Sequence, residues 1–168
     1  MLIIFSGLPG TGKSTIAREL ARQLDAVYVR IDSIEQAIRD SGIAVSVEDA
    51  GYRVGYAMAE DNLRLGRTVV ADSVNPLSLT REAWRGVAAR ASMPAIDVEV
   101  VCSDTAVHRH RVETRAADVP GLRLPTWDEV AGREYDRWEQ PRIVVDTAHR
   151  PASESVTEIR AALAKVKR

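Results

Sequence analysis

Short apolar runs alternate along this chain with longer stretches of helical periodicity. Residues 2–6, 27–31, 68–72, 96–102 and 142–146 are too short for helices and mostly β-branched, so they read as strands. Between them, residues 13–24 set Ile16, Ala17, Leu20, Ala21 and Leu24 on one face of a helix. Residues 47–65 carry Tyr52, Tyr56, Ala59 and Leu63 at the same period, and further helices are predicted over 33–41, 78–91, 104–116, 126–138 and 153–166. Ser33 with Gln36 and Thr126 with Glu129 have capping-box spacing, while Gly42 and Gly66 stand where a left-handed residue would end a helix. Strands alternating with helices imply parallel pairing through right-handed crossovers, hence a three-layer α/β/α domain around a five-stranded parallel sheet. Ligands in such sheets bind beyond the carboxyl ends of the strands, so the residues just after each strand are the ones to examine.

Composition narrows the classes. The chain has 168 residues, 23 Lys+Arg and 24 Asp+Glu, a formal charge of −1, and 45% hydrophobic and 28% charged residues. These values fit one globular domain spanning residues 1–168 and argue against disorder. The near-neutral balance argues against a general nucleic-acid coat, and no basic strip carries interleaved aromatics for single strands. No apolar run approaches the ~20 residues of a membrane helix. Met1–Phe5 is apolar but lacks a basic leader, so it reads as a first strand rather than a signal peptide. The single cysteine, Cys102, falls in a run that reads as a buried strand, where it would be a small core residue. A cytoplasmic setting is the simplest expectation.

The first strand runs into Gly7-Leu8-Pro9-Gly10-Thr11-Gly12-Lys13-Ser14-Thr15, a G-x-x-x-x-G-K-[ST] phosphate loop between a strand and a helix. Glycines let backbone N–H groups converge on an anion, and the helix N-terminus behind them adds its dipole. Lys13 suits the β- and γ-phosphates of ATP and Ser14 a magnesium ion. No N-K-x-D element for guanine recognition appears, and a chain of this length favours a kinase over a motor. The second strand ends at Asp32 and the third at Asp72. Phosphoryl transfer to a hydroxyl needs one carboxylate as base and another for metal or acceptor, so Asp32 is the candidate base and Asp72 the candidate metal or acceptor ligand. Asp32, followed by Glu35, also has the spacing of a helix cap.

The phosphate loop, Arg30-Ile31-Asp32-Ser33-Ile34-Glu35-Gln36-Ala37-Ile38 and Val69-Val70-Ala71-Asp72-Ser73-Val74-Asn75-Pro76 together resemble the kinase module of phage polynucleotide kinase. They also resemble the wider group of small P-loop kinases that includes chloramphenicol phosphotransferase and adenylylsulfate kinase. The resemblance implies a nucleoside-monophosphate-kinase-like P-loop fold with a helical lid, here about residues 105–127. It puts Asp32 on the general base and Asp72 in the acceptor and metal site. Where polynucleotide kinase has an arginine three residues after its base, this chain has Glu35, which argues against a polynucleotide 5′-hydroxyl acceptor.

The same group places lid arginines after the fourth strand. In the helix predicted over 104–116, Arg111 and Arg115 are four apart and share a face, with Arg109 flanking and Arg123 at a lid tip. His108 and His110 point to different faces, which argues against zinc. The loop after the last strand is expected to border the adenine. Tyr52, Arg53, Tyr56 and Asn62 lie in the segment that would cover the acceptor by analogy with these kinases, although Tyr52 and Tyr56 lie on an apolar stripe and, like Trp84, Trp127 and Trp138, fit a core better than a substrate contact. The expected function is an ATP- and Mg²⁺-dependent kinase acting on a hydroxyl of a small molecule, with Asp32, Lys13, Arg111 and Arg115 in catalytic roles. A polynucleotide kinase and a non-catalytic ATP-binding regulatory module are the alternatives.

Overall fold

A computed structural model of the chain describes residues 1–42, 47 and 49–166. Five strands, β1 (Leu2–Ser6), β2 (Val27–Arg30), β3 (Val69–Asp72), β4 (Ala95–Val101) and β5 (Ile143–Asp146), form one parallel sheet in the order β2-β3-β1-β4-β5. Among the described residues, seven helices accompany it: α1 (Lys13–Leu24), α2 (Ile31–Asp40), α3 (Ala50–Arg64), α4 (Ser78–Arg90), α5 (Thr105–Thr114), α6 (Trp127–Ala131) and α7 (Ala152–Val166).

The pleat of β1 explains the two cores. Ile3 and Phe5 pack on one face with Ile16 and Leu20 of α1 and Ile159 and Leu163 of α7. Leu2 and Ile4 pack on the other with Ala59 and Leu63 of α3 and Trp84 and Val87 of α4. Both faces are covered, so β1 and β3 are buried at every position and read as unbroken apolar runs. This is the three-layer α/β/α arrangement predicted from the strand–helix alternation.

Several elements differ from the sequence reading. The helix after β2 begins at Ile31 rather than Ser33, so the expected capping boxes at Ser33 and Asp32 do not form. Buried Ile31 is drawn into the core beside Gly55 and winds the chain directly out of the strand. The helix predicted over 47–65 starts at Ala50, and position 48 of that prediction lies outside the described residues. The helix predicted over 126–138 stops at Ala131, because Tyr135 and Trp138 are taken up in stacking on the Arg81 guanidinium, 4.9 and 4.1 Å away. Its start is as expected, with Thr126 and Glu129 forming a reciprocal capping box. Gly42 and Gly66 take the left-handed conformation predicted for them.

Candidate active site

The phosphate loop leaves the carboxyl end of β1, the middle strand, between β3 and β4. Its shape depends on glycine at two positions above all. Gly10 has φ +86°, and a Cβ there would lie 2.5 Å from Val112 Cγ2. Gly12 also has φ +86° and precedes α1, whose first turn carries no acidic residue and no side-chain cap. The N–H groups at that end of α1 therefore keep their capacity for an anion.

Side chains from distant elements hold this loop by its carbonyls. Thr147, just after β5, donates to Thr11 O at 2.7 Å, and Arg111 of α5 donates to Thr147 Oγ1 and O at 2.9 and 2.8 Å. The ring Nε2 of His108, also on α5, meets Pro9 O at 2.8 Å. Thr147 and His108 were not among the residues singled out for the site. Both contacts span about a hundred residues or more of sequence, and no local pattern announces them.

Behind the loop lies a buried polar centre. Lys13 forms an ion pair with Asp72, whose second carboxylate oxygen accepts a hydrogen bond from Tyr28 Oη at 2.6 Å. Burial alone would push the Asp72 carboxyl up, but the Lys13 charge and hydrogen bonds from Lys13, Tyr28 and Ser14 hold it below the ordinary carboxylate range. Burial and the Asp72 charge push the Tyr28 hydroxyl well above its usual value, so it remains a donor. Asp72 therefore sits on the ligand edge beside β1, as its place at the end of β3 predicted. Asp32 lies one strand further out, in the first turn of α2.

A cavity of about 1280 Å³ opens in front of this centre. Lys13, Ser14 and Thr15 line it together with Asp32, Arg111 and Arg115. Asp32 faces Arg30 Nη2 at 3.6 Å. Arg111 and Arg115 do not share a helix, because α5 ends at Thr114 and Arg115 is extended beyond it. Arg111 turns to the phosphate loop. Arg115, whose pKa burial lowers against the pull of the Asp32 and Asp118 charges, lines the cavity, and its Nε is buried with no hydrogen-bond partner. Arg109 is exposed and paired with Glu113 at 2.8 Å, outside the cavity wall, and Arg123 lies on the wall paired with Glu129 at 2.7 Å.

The remaining candidates divide. Tyr52 borders the cavity, and burial pushes its hydroxyl up to about 12. Tyr56 packs edge-on against buried Trp84, with ring centroids 4.7 Å apart. Arg53 pairs with Asp49 on the surface, and Asn62 donates to Met58 O. Trp127 packs edge-on against His108, and Trp138 carries the Arg81 stack. Cys102 is not a strand core residue. It lies one position past β4, half-buried, with Sγ 3.6 Å from Asp104 O and 3.8 Å from Arg111.

The residues present fit a nucleotide with a magnesium ion. Ser14 lines the cavity beside Lys13, and Asp72 stands buried behind them with its oxygens on Lys13 and Tyr28. No group of three or more His, Cys, Asp or Glu poised for a metal occurs among the described residues. Magnesium suits such a site, since it keeps several waters and takes phosphate oxygens rather than a full protein cage. No described helix is long and apolar enough to cross a membrane.

This fold, a parallel sheet with a phosphate loop at the carboxyl end of its middle strand, defines a P-loop protein. The chain belongs to the AAA domain family, which it matches over residues 2–131. It is 27% identical over 179 residues to a protein of Sorangium cellulosum named probable bifunctional SAT/APS kinase 2, covering 96% of this chain and 28% of that relative's length. Among solved structures, a gluconokinase from Sinorhizobium meliloti superposes with a TM-score of 0.67 at 22% identity, over 98% of this chain and 91% of that one. The APS kinase of Mycobacterium tuberculosis in complex with AMPPNP and APS gives a TM-score of 0.67 at 19% identity, over 96% of each chain.

Proposed function

We propose that this protein is an ATP-dependent kinase that transfers the γ-phosphate to a hydroxyl of a small-molecule acceptor. One observation supports this reading above the rest: the phosphate loop and an unburied carboxylate, Asp32, line the same cavity. A protein that only binds ATP has no need of that pairing. The kinship with proteins named APS kinase and gluconokinase agrees with phosphoryl transfer.

In this reading the loop N–H groups and Lys13 cradle the nucleotide phosphates. Ser14 and Asp72 would hold Mg²⁺, which when bound neutralises charge between the β- and γ-phosphates. Asp32 accepts the proton of the acceptor hydroxyl as its oxygen bonds to the γ-phosphorus, and the bond from that phosphorus to the bridging oxygen of ADP breaks. Arg111 and Arg115 stabilise the charge that develops on the transferred group. The adenine lies towards the loop after β5, where Arg150 and Ala152 border the cavity. Residues 105–127 act as the lid within a single kinase domain.

Glu35 also lines the cavity, three residues beyond the proposed base. Its carboxyl is pushed up by burial, against the pull of Arg39 and with Asp32 adding to the rise. Paired with Arg39 at 3.3 Å, it supplies no cation at the place expected to engage a polynucleotide phosphate, which favours a small acceptor.

The test offers purified protein γ-labelled ATP and Mg²⁺ with either a metabolite extract or a 5′-hydroxyl oligonucleotide. Label is expected on a small metabolite and to vanish with Asp32→Asn. Label on the oligonucleotide would establish a polynucleotide kinase instead. ATP binding without any acceptor-stimulated transfer would establish a binding module.

A further inference from the structure

The chain between α5 and α6 returns across the cavity mouth and presents Asp118. Its carboxylate meets the Arg30 guanidinium in a two-pronged fork, with Nη1 to Oδ2 at 2.8 Å and Nη2 to Oδ1 at 2.9 Å. Arg18 of α1 stands 3.6 Å from Oδ2. Arginines from two separate elements, β2 and α1, thus meet on one acidic side chain. The two sides of the contact are built differently. Arg30 is held in the wall at 12% exposure and backed by buried Asp72 at 3.9 Å, whereas Asp118 is 42% exposed on an irregular segment. Exposed ion pairs contribute little to stability, and a single fork already satisfies one carboxylate. A guanidinium held in the wall, with a second arginine beside it and one exposed, tethered occupant, is more than one ion pair requires.

The receptor's place in the sheet indicates what it serves. Arg30 ends β2, which β3 separates from β1 and its phosphate loop. It is 3.6 Å from Asp32, the residue expected to meet the acceptor hydroxyl.

We propose that Arg30 and Arg18 form a receptor for an oxyanion carried by the acceptor, and that Asp118 competes with that anion for it. The acceptor would then bear a phosphate, sulfate or carboxylate beside the hydroxyl it offers. This rests on the kinase reading only for the owner of the anion. The receptor itself stands on the arginine geometry. Binding of the acceptor's anion exchanges one carboxylate for another oxyanion and releases the loop that carries Asp118.

The test uses inorganic sulfate as the probe, titrated calorimetrically into protein saturated with AMPPNP so that the phosphate loop is filled. Because the tethered carboxylate keeps part of the population closed to ligand, Asp118→Asn should bind sulfate about tenfold more tightly than wild type. Adding Arg30→Met to that variant should abolish the gain, and Arg30→Lys, which keeps charge without the fork, should reduce it. AMPPNP affinity and thermal melts check folding, and Arg30→Lys carries the test if Arg30→Met does not fold. Equal sulfate affinity in Asp118→Asn and wild type overturns the proposal, as does indifference to both Arg30 changes. Sulfate that binds with ADP but not with AMPPNP assigns the receptor to the γ-phosphate and also overturns it. A failure of phosphoryl transfer appears only in the labelling assay and leaves the sulfate result standing.

Discussion

The two ends of the cavity are held together by different kinds of contact. At the phosphate-loop end, the long-range bonds run to backbone: Thr147 to Thr11 O, His108 to Pro9 O, Arg111 to Thr147 O. At the other end charged side chains pair with one another, across the fold where Arg30 and Arg18 meet Asp118 and locally where Arg30 meets Asp32 and Arg39 meets Glu35. A backbone cradle fixes N–H groups in space and recognises phosphate, which every nucleotide carries. Side-chain ion pairs are exchanged one residue at a time, so they suit the half of a site that distinguishes one partner from another. Asp72 joins the halves, since it pairs with Lys13 of the loop and lies 3.9 Å from Arg30.

If that division holds, Asp32→Asn should have the largest effect and confine it to the acceptor end. Loss of a positioned general base costs about 10³-fold in kcat, while AMPPNP affinity should stay at the wild-type value. Steady-state rates and calorimetry read the two quantities separately, and a large loss of nucleotide affinity would break the distinction.

Asp72→Asn should instead damage both ends. It leaves Lys13 buried without its counter-charge, a change that costs about 3 kcal/mol in folding stability. The effect depends on pH in a fixed direction. The folded-state pKa of Asp72 lies below its unfolded value, so its contribution is complete above the ordinary carboxylate pKa of about 4. It is lost as pH falls through the folded value. Urea unfolding should therefore show a constant gap between wild type and Asp72→Asn from pH 5 to 8, and a shrinking gap in more acid solution.

The same contrast explains what could be read from the chain. The phosphate loop, five strands and two strand-end aspartates are local signals: nine consecutive residues, or an apolar run closed by one acid. They name most of the phosphate-loop end without a structure. The other end is assembled from pairs such as Arg30 and Asp118, 88 residues apart, which no periodicity connects. Nor does composition give the sheet order, so nothing in the sequence said that β3 stands between Asp32 and the loop. Arg115 shows the cost of extending a period too far. A four-residue spacing aligns two arginines only while the helix lasts, and α5 ends between them. Arg81 redirected residues 132–138 in a similar way, its stacking on Tyr135 and Trp138 overriding a helical pattern that continued on paper.

Tyr28→Phe is a finer probe of the junction. It removes one donor from a buried carboxylate that keeps Lys13 and Ser14 as partners. A hydrogen bond to a charged group contributes about 2 kcal/mol, so urea unfolding should register a loss of that order, smaller than for Asp72→Asn. The two changes should also be far from additive in a double mutant, because they remove the same contact. Additive losses would mean that Tyr28 stabilises the fold through its packing rather than through Asp72.

The smallest expected effect bears most directly on the comparison, because α5 braces the loop and the chain leaving it carries Asp118 to the other end. His108 supports the loop at Pro9 O, and the Cβ position of Gly10 points at His108 and Val112 on the same helix. His108→Phe keeps an aromatic ring against Trp127 and removes only the hydrogen bond. A neutral bond of this kind is worth about 1 kcal/mol, so the AMPPNP dissociation constant should rise about fivefold. Sulfate binding by the Asp118→Asn protein should not change, since Arg30 lies on β2 and Arg18 on α1. Calorimetry on the single and double variants reads both quantities. If weakening the loop through His108 also weakened the sulfate site, α5 would transmit one adjustment to both ends, and the cavity would have to be treated as a single cooperative unit.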